Sequence, residues 1–223
     1  MRPDLRIGIV DSGYTPSQGV AAAQRFWLVE AGLAQGDVEP DSLGHGSAVL
    51  AAIAQRAPEA ELYVAQVFDG RGVTSALQVA AGIDWLVNCG VRVINLSLGL
   101  RHDREALRLA CAAAQASGVL LCASSPAQGA GVFPASYPGV VRVTGDARCG
   151  PQQWSWLNSA QADFGACVRG DRPGQSGASL GCAALCGHIA ERLLQAPEAS
   201  NEAVLRWLVE HASYRGIERR AGP

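Results

Sequence analysis

The sequence has few of the features that mark several large classes of protein. Its 18 Lys and Arg residues do not exceed its 20 Asp and Glu residues, and the formal net charge is −2. This balance excludes the basic surface of a nucleic-acid-binding protein and a polybasic patch for anionic membranes. No apolar run reaches membrane-spanning length, and no secretory signal precedes the first strand-like run. We therefore expect a globular protein with no nucleic acid and no membrane among its partners.

Cysteine is present, but the seven cysteines are odd in number, scattered and mostly surrounded by Ala, Val and Leu. This distribution favours free thiols in a reducing cytosol over a disulfide framework, so we expect a cytoplasmic location. Cys182 and Cys186 lie four residues apart with His188 close by, a spacing that also suits metal ligands. Because no second ligand pair stands at zinc-site spacing, we interpret them as small apolar residues of a packed helix and expect no metal and no cofactor.

The length of 223 residues, of which 48% are hydrophobic, suffices for one sizeable core. Since no long polar linker interrupts the chain, we predict a single domain over residues 1–223 with a frayed tail over 214–223. Short runs rich in β-branched residues are apolar nearly throughout, which is typical of strands covered on both faces. These predicted strands are residues 5–13, 61–68, 91–99, 118–124 and 139–145.

Segments with apolar residues at three-to-four spacing alternate with these strands, over residues 46–57, 74–90 and 104–118. This alternation predicts an α/β fold with a parallel sheet and helices on both sides. Residues 177–195 are Ala-rich and apolar nearly all round, so they predict a central buried helix. An amphipathic helix over 201–212 closes the pattern.

Three residues at strand ends or helix starts are candidates for chemistry, because functional groups gather beyond the carboxyl ends of parallel strands. Asp11 ends the first strand, where a carboxylate can orient a histidine, although Asp before Ser-Gly is also an ordinary turn signal. His45 stands between two glycines at a helix entrance, and alone it is equally compatible with a structural role. Ser176 precedes the Ala-rich helix, either as a nucleophile beside the helix N-terminus or as a simple N-cap.

The chain order Asp, His, Ser in a parallel α/β protein is that of the subtilisin arrangement. The segments GIVDSG, GHGSAVLAAI and GQSGASLGCAAL, which contain Asp11, His45 and Ser176, resemble the three motifs of the subtilisin-like (subtilase) family of serine proteases. Residues 69–99 and 133–145 also resemble segments of that family. The resemblance covers about residues 5 to 195 and implies a three-layer fold with a mostly parallel central sheet.

The resemblance also implies a role for each candidate. Ser176 would attack the scissile carbonyl, His45 would take its proton, and Asp11 would hold the imidazole and stabilise its cation. An extended peptide substrate would lie between two exposed stretches of backbone and gain main-chain hydrogen bonds. The substrate-binding residues implied in this way are Gly70, Arg71, Gly72, Ser97, Leu98, Gly99, Ser124 and Ser125. Arg71 would favour an acidic substrate side chain or be a solvated loop residue.

The sequence departs from the family at the oxyanion hole. The family normally supplies a side-chain amide from an Asn after the fourth strand, and the register of residues 121–129 places Pro126 there. Proline has neither a side-chain amide nor a backbone N–H. Three interpretations remain open: a substitute donor, a slow enzyme, or a catalytically impaired adaptor that only binds peptides. The candidate substitutes are Ser124, Ser125, Gln128 and Asn158.

The build of the chain further suggests a biological role. Because the chain begins at its first strand, we expect no inhibitory propeptide and an intracellular processing protease rather than a degradative one. Within the family, the build is most similar to small proteases that remove the leader peptide of a cross-linked, modified enzyme subunit. We therefore expect a dedicated peptide substrate, presented in a complex with the enzyme that modifies it. An esterase or amidase that uses the same triad on small substrates is a weaker alternative.

Overall fold

A computed structural model describes residues 5–169 and 177–218 of the chain. In this part of the chain ten strands form one sheet. They are β1 (Arg6–Asp11), β2 (Ala22–Val29), β3 (Gly32–Gly36), β4 (Glu61–Gln66), β5 (Val93–Leu96), β6 (Leu120–Ser124), β7 (Val141–Gly145), β8 (Trp154–Trp156), β9 (Phe164–Ala166) and β10 (Tyr214–Arg215). Their order across the sheet is β10-β8-β9-β7-β6-β5-β1-β4-β2-β3.

The five predicted strands form the parallel centre of this sheet, with β1 between β4 and β5. Strand β1 is buried along almost its entire length, which explains its continuous apolar run. Antiparallel pairing occurs where β2 meets β3 and where β8 meets β9, near the two edges of the sheet. The prediction of a mostly parallel sheet is therefore confirmed.

Helices cover both faces of the sheet, as predicted. The helices are α1 (His45–Arg56), α2 (Ala76–Asn88), α3 (Glu105–Ala116), α4 (Ala178–Gln195) and α5 (Asn201–Glu210). Helices α1, α4 and α5 pack into one hydrophobic cluster and α2 and α3 into a second one on the opposite face. Helix α4 is buried around most of its circumference, so the Ala-rich segment is central in the structure.

The sequence pattern did not predict the outer strands β2, β3, β8 and β9, which flank the five central ones. Strand β2 mixes polar and apolar residues, and β8 and β9 have only three residues each. The prediction of a frayed tail from Tyr214 is wrong for its first residues, because Tyr214 and Arg215 pair in parallel with β8. The Arg148 guanidinium also donates to the Gly216 carbonyl at 2.9 Å. Residues 219–223 of the predicted tail lie outside the described residues.

None of the helices within residues 5–169 and 177–218 has the length and apolar character required to cross a membrane. All seven cysteines are free thiols. Cys182 and Cys186 lie in the core with Cys122. Burial is the main cause that raises the pKa of Cys182 and Cys186, and the hydrogen bond with the Cys186 thiol, followed by burial, raises the pKa of Cys122. In the described part of the chain no group of three or more His, Cys, Asp or Glu side chains is arranged to hold a metal ion.

His188 is the third residue, after Cys182 and Cys186, whose spacing suited metal ligands, and it is a buried residue of α4. Its ring packs against Trp154 with a centroid distance of 4.6 Å, and its Nε2 has no hydrogen-bond partner among the described residues. Burial, with a smaller effect of the nearby Arg56 cation, lowers its pKa to about 3. The folded protein therefore holds this imidazole neutral at pH values where an unfolded chain protonates it.

This depressed pKa predicts a loss of stability in acid. Between pH 6.5 and about pH 3 the unfolded state binds a proton that the folded state excludes, so His188 should lower the free energy of unfolding by about 1.4 kcal/mol per pH unit as the pH falls. Urea unfolding between pH 7 and pH 4 measures this slope. His188→Leu should flatten it, whereas His211→Gln, at an exposed position on the end of α5, should leave it unchanged. Equal slopes for wild type and His188→Leu would contradict the prediction.

Candidate active site

Asp11 lies at the carboxyl end of β1, the central strand between β4 and β5, and is fully buried. Its Oδ1 accepts the backbone N–H of Ser12 at 2.7 Å and lies 2.7 Å from Nδ1 of His45. Its Oδ2 has no hydrogen-bond partner among the described residues. The fold therefore directs a buried carboxylate at one nitrogen of the imidazole.

His45 is the first residue of α1, and the glycines on either side of it have separate structural functions. Gly44 has φ 70°, in the left-handed region that favours glycine. Gly46 packs so closely on Gly13 that a Cβ atom would lie 2.3 Å from the Gly13 carbonyl oxygen. Only glycine permits this approach, which brings the start of α1 against the end of β1.

The electrostatics of His45 follow from this placement. The hydrogen bond to Asp11 raises the pKa of the imidazole, burial opposes that shift, and the charges of Asp11 and Asp41 add to it. An Nδ1–H that donates to Asp11 leaves the lone pair on Nε2, and the side chain is 43% exposed. The ring can therefore accept a proton from a group in the cleft and is stabilised when it does.

Ser176, the predicted nucleophile, lies outside the described residues. Gly177, with φ 127°, precedes α4, which begins at Ala178. The first turn of α4 is fixed to the chain after β5 by two reciprocal hydrogen bonds. Ser97 Oγ donates to the Ser179 carbonyl at 2.9 Å, and Ser179 Oγ donates to the Ser97 carbonyl at 3.1 Å.

A small cavity of about 270 Å³ connects these elements. Its lining residues are Asp11, Ser12, Leu43, His45, Phe68, Gly72 and Ser97. Ser97 thus faces the same cavity as the Asp–His pair and also holds the start of α4. The two predicted substrate-binding stretches, residues 70–72 and 97–99, form the two rims of the cleft. The structure brings Gly72 from one rim and Ser97 from the other beside Asp11 and His45.

The two predicted rims differ in their details. On one rim, Arg71 is exposed and donates to the Asp69 carboxylate from Nε at 3.2 Å and from Nη2 at 3.1 Å. Its charge is therefore balanced within its own loop, which weakens the expectation that it selects an acidic substrate. On the other rim, Ser97 and Leu98 are buried and Gly99 is exposed.

The candidate substitutes for the missing oxyanion donor fall into two groups. The hydroxyl groups of Ser124 and Ser125 are buried and already donate to the carbonyls of Leu98 and Gln161, at 3.3 and 2.7 Å. Gln128 and Asn158 are exposed, and their side-chain amides have no hydrogen-bond partner among the described residues. Of these two residues, Gln128 lines a cavity that Thr144 and Gly145 also line.

Thr144 and Gly145 lie against the first turn of α4. A Cβ atom on Gly181 would lie 2.6 Å from the Thr144 carbonyl oxygen, and one on Gly145 would lie 3.4 Å from the Gly177 carbonyl oxygen. Gln128 is therefore the candidate donor whose cavity adjoins the helix that follows Ser176. The hydroxyl groups of Ser124 and Ser125 serve the packing of their loop.

Several residues around the site were not identified from the sequence. Asp41 accepts hydrogen bonds from the first turn of α1, and Gln66 Nε2 donates to the Ser12 carbonyl at 2.8 Å. Asn95 Nδ2 donates to Ser97 Oγ at 2.8 Å. For Asp41 a signal existed, since Asp shortly before a helix start is a common N-terminal cap. Gln66 and Asn95 stand in apolar strands, and only the structure shows which way they point.

Comparison with known proteins places this geometry in a family. A model of the subtilase family, Peptidase_S8, matches residues 5–149, which is well over half of the chain. The chain belongs to the subtilase family. In this subtilase, Asp11 and His45 both lie within the matched region, whereas Ser176 lies beyond it.

Curated relatives agree with this membership. The subtilase is 33% identical over 151 residues to a thermostable alkaline protease of Halalkalibacterium halodurans and 31% identical over 152 residues to subtilisin Savinase of Lederbergia lenta. It is 30% identical over 153 residues to the minor extracellular protease Epr of Bacillus subtilis. These matches take in 62%, 62% and 63% of the chain but only 40%, 54% and 23% of the respective relatives. The subtilase thus corresponds to between a quarter and about half of their length.

Solved structures support the fold over nearly the entire subtilase. The S41 psychrophilic protease superposes with a TM-score of 0.68 over 94% of this chain and 83% of its own, at 22% identity. A mutant of the protease domain of PatA gives a TM-score of 0.68 over 92% of this chain and 85% of its own, at 20% identity. These likenesses show the subtilisin-like α/β fold.

Proposed function

We propose that this subtilase is a serine endopeptidase in which Asp11, His45 and Ser176 form the catalytic triad. The observation that carries the proposal is the 2.7 Å contact between the buried Asp11 carboxylate and Nδ1 of His45, in a chain of the subtilase family. A carboxylate in that position fixes the tautomer that leaves Nε2 free to act as a base. Ser176 is the residue of this sequence that matches the family's nucleophile motif.

The proposed reaction follows the acyl-enzyme route. His45 Nε2 takes the proton of Ser176 Oγ while the oxygen attacks the scissile carbonyl, and the resulting imidazolium donates that proton to the leaving amine. Water then attacks the acyl-enzyme with His45 again as the base. Asp11 keeps its charge throughout and stabilises the imidazolium, in agreement with the raised pKa of His45. No metal or cofactor takes part in the proposed reaction.

The substrate is an extended peptide that lies between residues 70–72 and 97–99. The cavity beside His45 would accept one of its side chains, and Leu43 and Phe68 make part of its wall apolar. Gly72 has φ 75° and carries no side chain that would fill this space. We infer that the substrate presents a medium-sized apolar side chain next to the scissile bond.

The proposed role of the cavity in specificity can be tested by shortening one of its lining side chains. Leu43→Ala should lower kcat/KM about fivefold for peptides with Leu or Val at the position that enters the cavity, because less apolar surface is buried. Peptides with Gly there should be cleaved at the wild-type rate. Leu77→Ala removes a similarly exposed leucine from α2, outside the cavity, and serves as the matched control. A uniform loss for all peptides would exclude this pocket as the specificity site.

We further propose that the biological substrate is the leader of a modified small subunit, such as the cross-linked small subunit of quinohemoprotein amine dehydrogenase. The substrate would be presented in a complex with its modifying enzyme, in the cytoplasm. Two features support this: the seven free thiols suit a reducing compartment, and Pro126 at the position of an oxyanion donor suits an enzyme that makes one cut per substrate molecule.

The test is incubation of the purified protein with the leader-bearing, modified subunit, with and without its modifying enzyme, followed by mass spectrometry. A single cut that releases the leader, absent with Ser176→Ala, is expected. Binding of the subunit without any cleavage product after long incubation would favour the peptide-binding adaptor. Hydrolysis of small esters without peptide cleavage would favour an esterase or amidase.

A further inference from the structure

A second carboxylate, Asp41, stands beside the Asp11–His45 pair on the segment between β3 and α1. Its Oδ1 accepts Ser12 Oγ–H at 2.8 Å and the backbone N–H groups of Gly44 and Leu43 at 2.9 and 3.1 Å. Its Oδ2 accepts the backbone N–H and the hydroxyl of Ser47, at 2.8 and 2.7 Å. One half-buried side chain thus ties the end of β1 to the first turn of α1.

Ser12 completes this connection next to the catalytic carboxylate. Its Oγ donates to Asp41 and accepts the Gly46 N–H at 2.9 Å, and its own N–H donates to Asp11 Oδ1 at 2.7 Å. Asp41 and Ser12 therefore fix the chain on both sides of His45, because Asp41 accepts the Gly44 N–H and Ser12 accepts the Gly46 N–H. The His45 backbone has little freedom to move relative to Asp11.

Asp41 remains charged while it does this. Burial by itself raises its pKa, but the hydrogen bonds from Ser47, Ser12 and Gly44 outweigh burial, so the pKa of Asp41 is lowered. The position of Asp41 beside the N-terminus of α1 also favours a negative charge. Hydrogen bonds to a charged acceptor are shorter and stronger than neutral ones, which suits a group that fixes geometry.

Asp41 also adds to the electrostatic field at His45. The charges that raise the pKa of His45 come from Asp11 at the end of β1 and from Asp41 before α1. The lining residues that reach the cavity from beyond β4 and β5 are Phe68, Gly72 and Ser97, which carry no charge. Removal of the Asp41 charge therefore has a defined sign: the imidazolium becomes less stable.

We propose that Asp41 is a positioning residue of the peptidase, which holds His45 against Asp11 through Ser12 and the first turn of α1. The negative charge of Asp41 also favours the protonated form of His45. This inference rests on the proposed function for its effect on catalysis. Its effect on the imidazole itself does not depend on the protein's having activity.

The experiment compares Asp41→Asn and Asp41→Ala with Asp37→Asn, an exposed residue of the same segment. In peptide hydrolysis, kcat should fall by about tenfold for Asn and about 100-fold for Ala, with KM within about twofold, because misplacement of the base affects the chemical step. The acid limb of the kcat/KM profile, where His45 becomes neutral, should move to lower pH in both variants. Asp37→Asn should match the wild type in each respect.

Ser12→Ala separates the two parts of the proposal. It breaks the connection but leaves the Asp41 charge, so kcat should fall while the acid limb moves less than in Asp41→Asn. Urea unfolding confirms that each variant is folded at the assay temperature, and if Asp41→Ala does not fold, Asp41→Asn and Ser12→Ala carry the test. A folded Asp41→Asn variant with unchanged kcat and an unchanged acid limb would overturn the proposal.

An NMR titration of ¹⁵N-labelled histidine gives a readout without catalysis. The imidazole of His45 should titrate at lower pH in Asp41→Asn than in wild type or Asp37→Asn. If the wild type proves inactive, the proposed function fails, but this titration still decides whether Asp41 controls His45. An unchanged titration of His45 would then overturn the inference by itself.

Discussion

Ser176→Ala is expected to lower kcat for peptide hydrolysis by about 10⁶-fold, the loss that removal of the nucleophile causes in subtilisin itself. Without the hydroxyl no acyl-enzyme forms, and the Asp11–His45 pair has no nucleophile to activate. The Ser97–Ser179 hydrogen bonds that fix the start of α4 do not involve this side chain. We therefore expect the variant to fold and to bind the peptide.

Labelling with a fluorophosphonate measures this directly, because the probe forms a covalent bond with an activated serine. The label should appear on the wild type and be absent from Ser176→Ala. Ser213→Ala, which removes an exposed hydroxyl after α5, is the control and should label as the wild type does. A label that persists in Ser176→Ala would assign the nucleophile to another residue.

Asp11→Asn has the second largest expected effect, a fall in kcat of about 10⁴-fold. Asparagine has the shape of aspartate, but its NH₂ group can donate a hydrogen bond to His45 Nδ1, whereas the carboxylate accepts one. That hydrogen bond moves the ring proton to Nε2, which then cannot take the serine proton. The two side chains would remain in contact, at 2.7 Å in the wild type, but the contact would no longer support catalysis.

The pH profile of the same variant gives a signed test. The hydrogen bond that His45 Nδ1–H donates to Asp11 raises the pKa of His45 above its usual 6.5, so wild-type kcat/KM should rise with pH through that higher value as the imidazole becomes neutral. In Asp11→Asn the residual activity should reach its plateau at lower pH, because the stabilising charge has gone. Asp37→Asn should leave both rate and profile unchanged. An acid limb at the same pH in Asp11→Asn would show that another group controls it.

Much of the fold could be predicted from local patterns. The apolar runs that form β1, β4, β5, β6 and β7 are buried because helices cover both faces of the sheet. A strand buried on both faces requires apolar residues at nearly every position, so its sequence reveals it. The outer strands β2, β8 and β9 were not predicted because they are short or partly exposed to solvent. Tyr214 and Arg215 are polar, and they join the sheet by backbone pairing that no side-chain pattern encodes.

The candidate site divides in the same way. Asp11 and His45 were recognised because their motifs are local, and the glycines around His45 are required by its close approach to β1. The partner of Arg71 and the hydrogen bonds of Ser124 and Ser125 could not be predicted. Those contacts depend on loop conformations and on groups that the sequence pattern does not place beside each other.

The sequence by itself determined the alternation of the five central strands with helices, the apolar character of the central sheet, and the position of Asp11 at a strand end and of His45 at a helix start. Only the tertiary structure decided that the two side chains meet at 2.7 Å and that Asp41 holds both of their segments together. Strand and helix patterns repeat every few residues, so a short stretch of sequence is enough to show them. Distances between residues 11, 41 and 45 depend on which strands become neighbours and how closely α1 packs against β1, which the whole chain settles in folding.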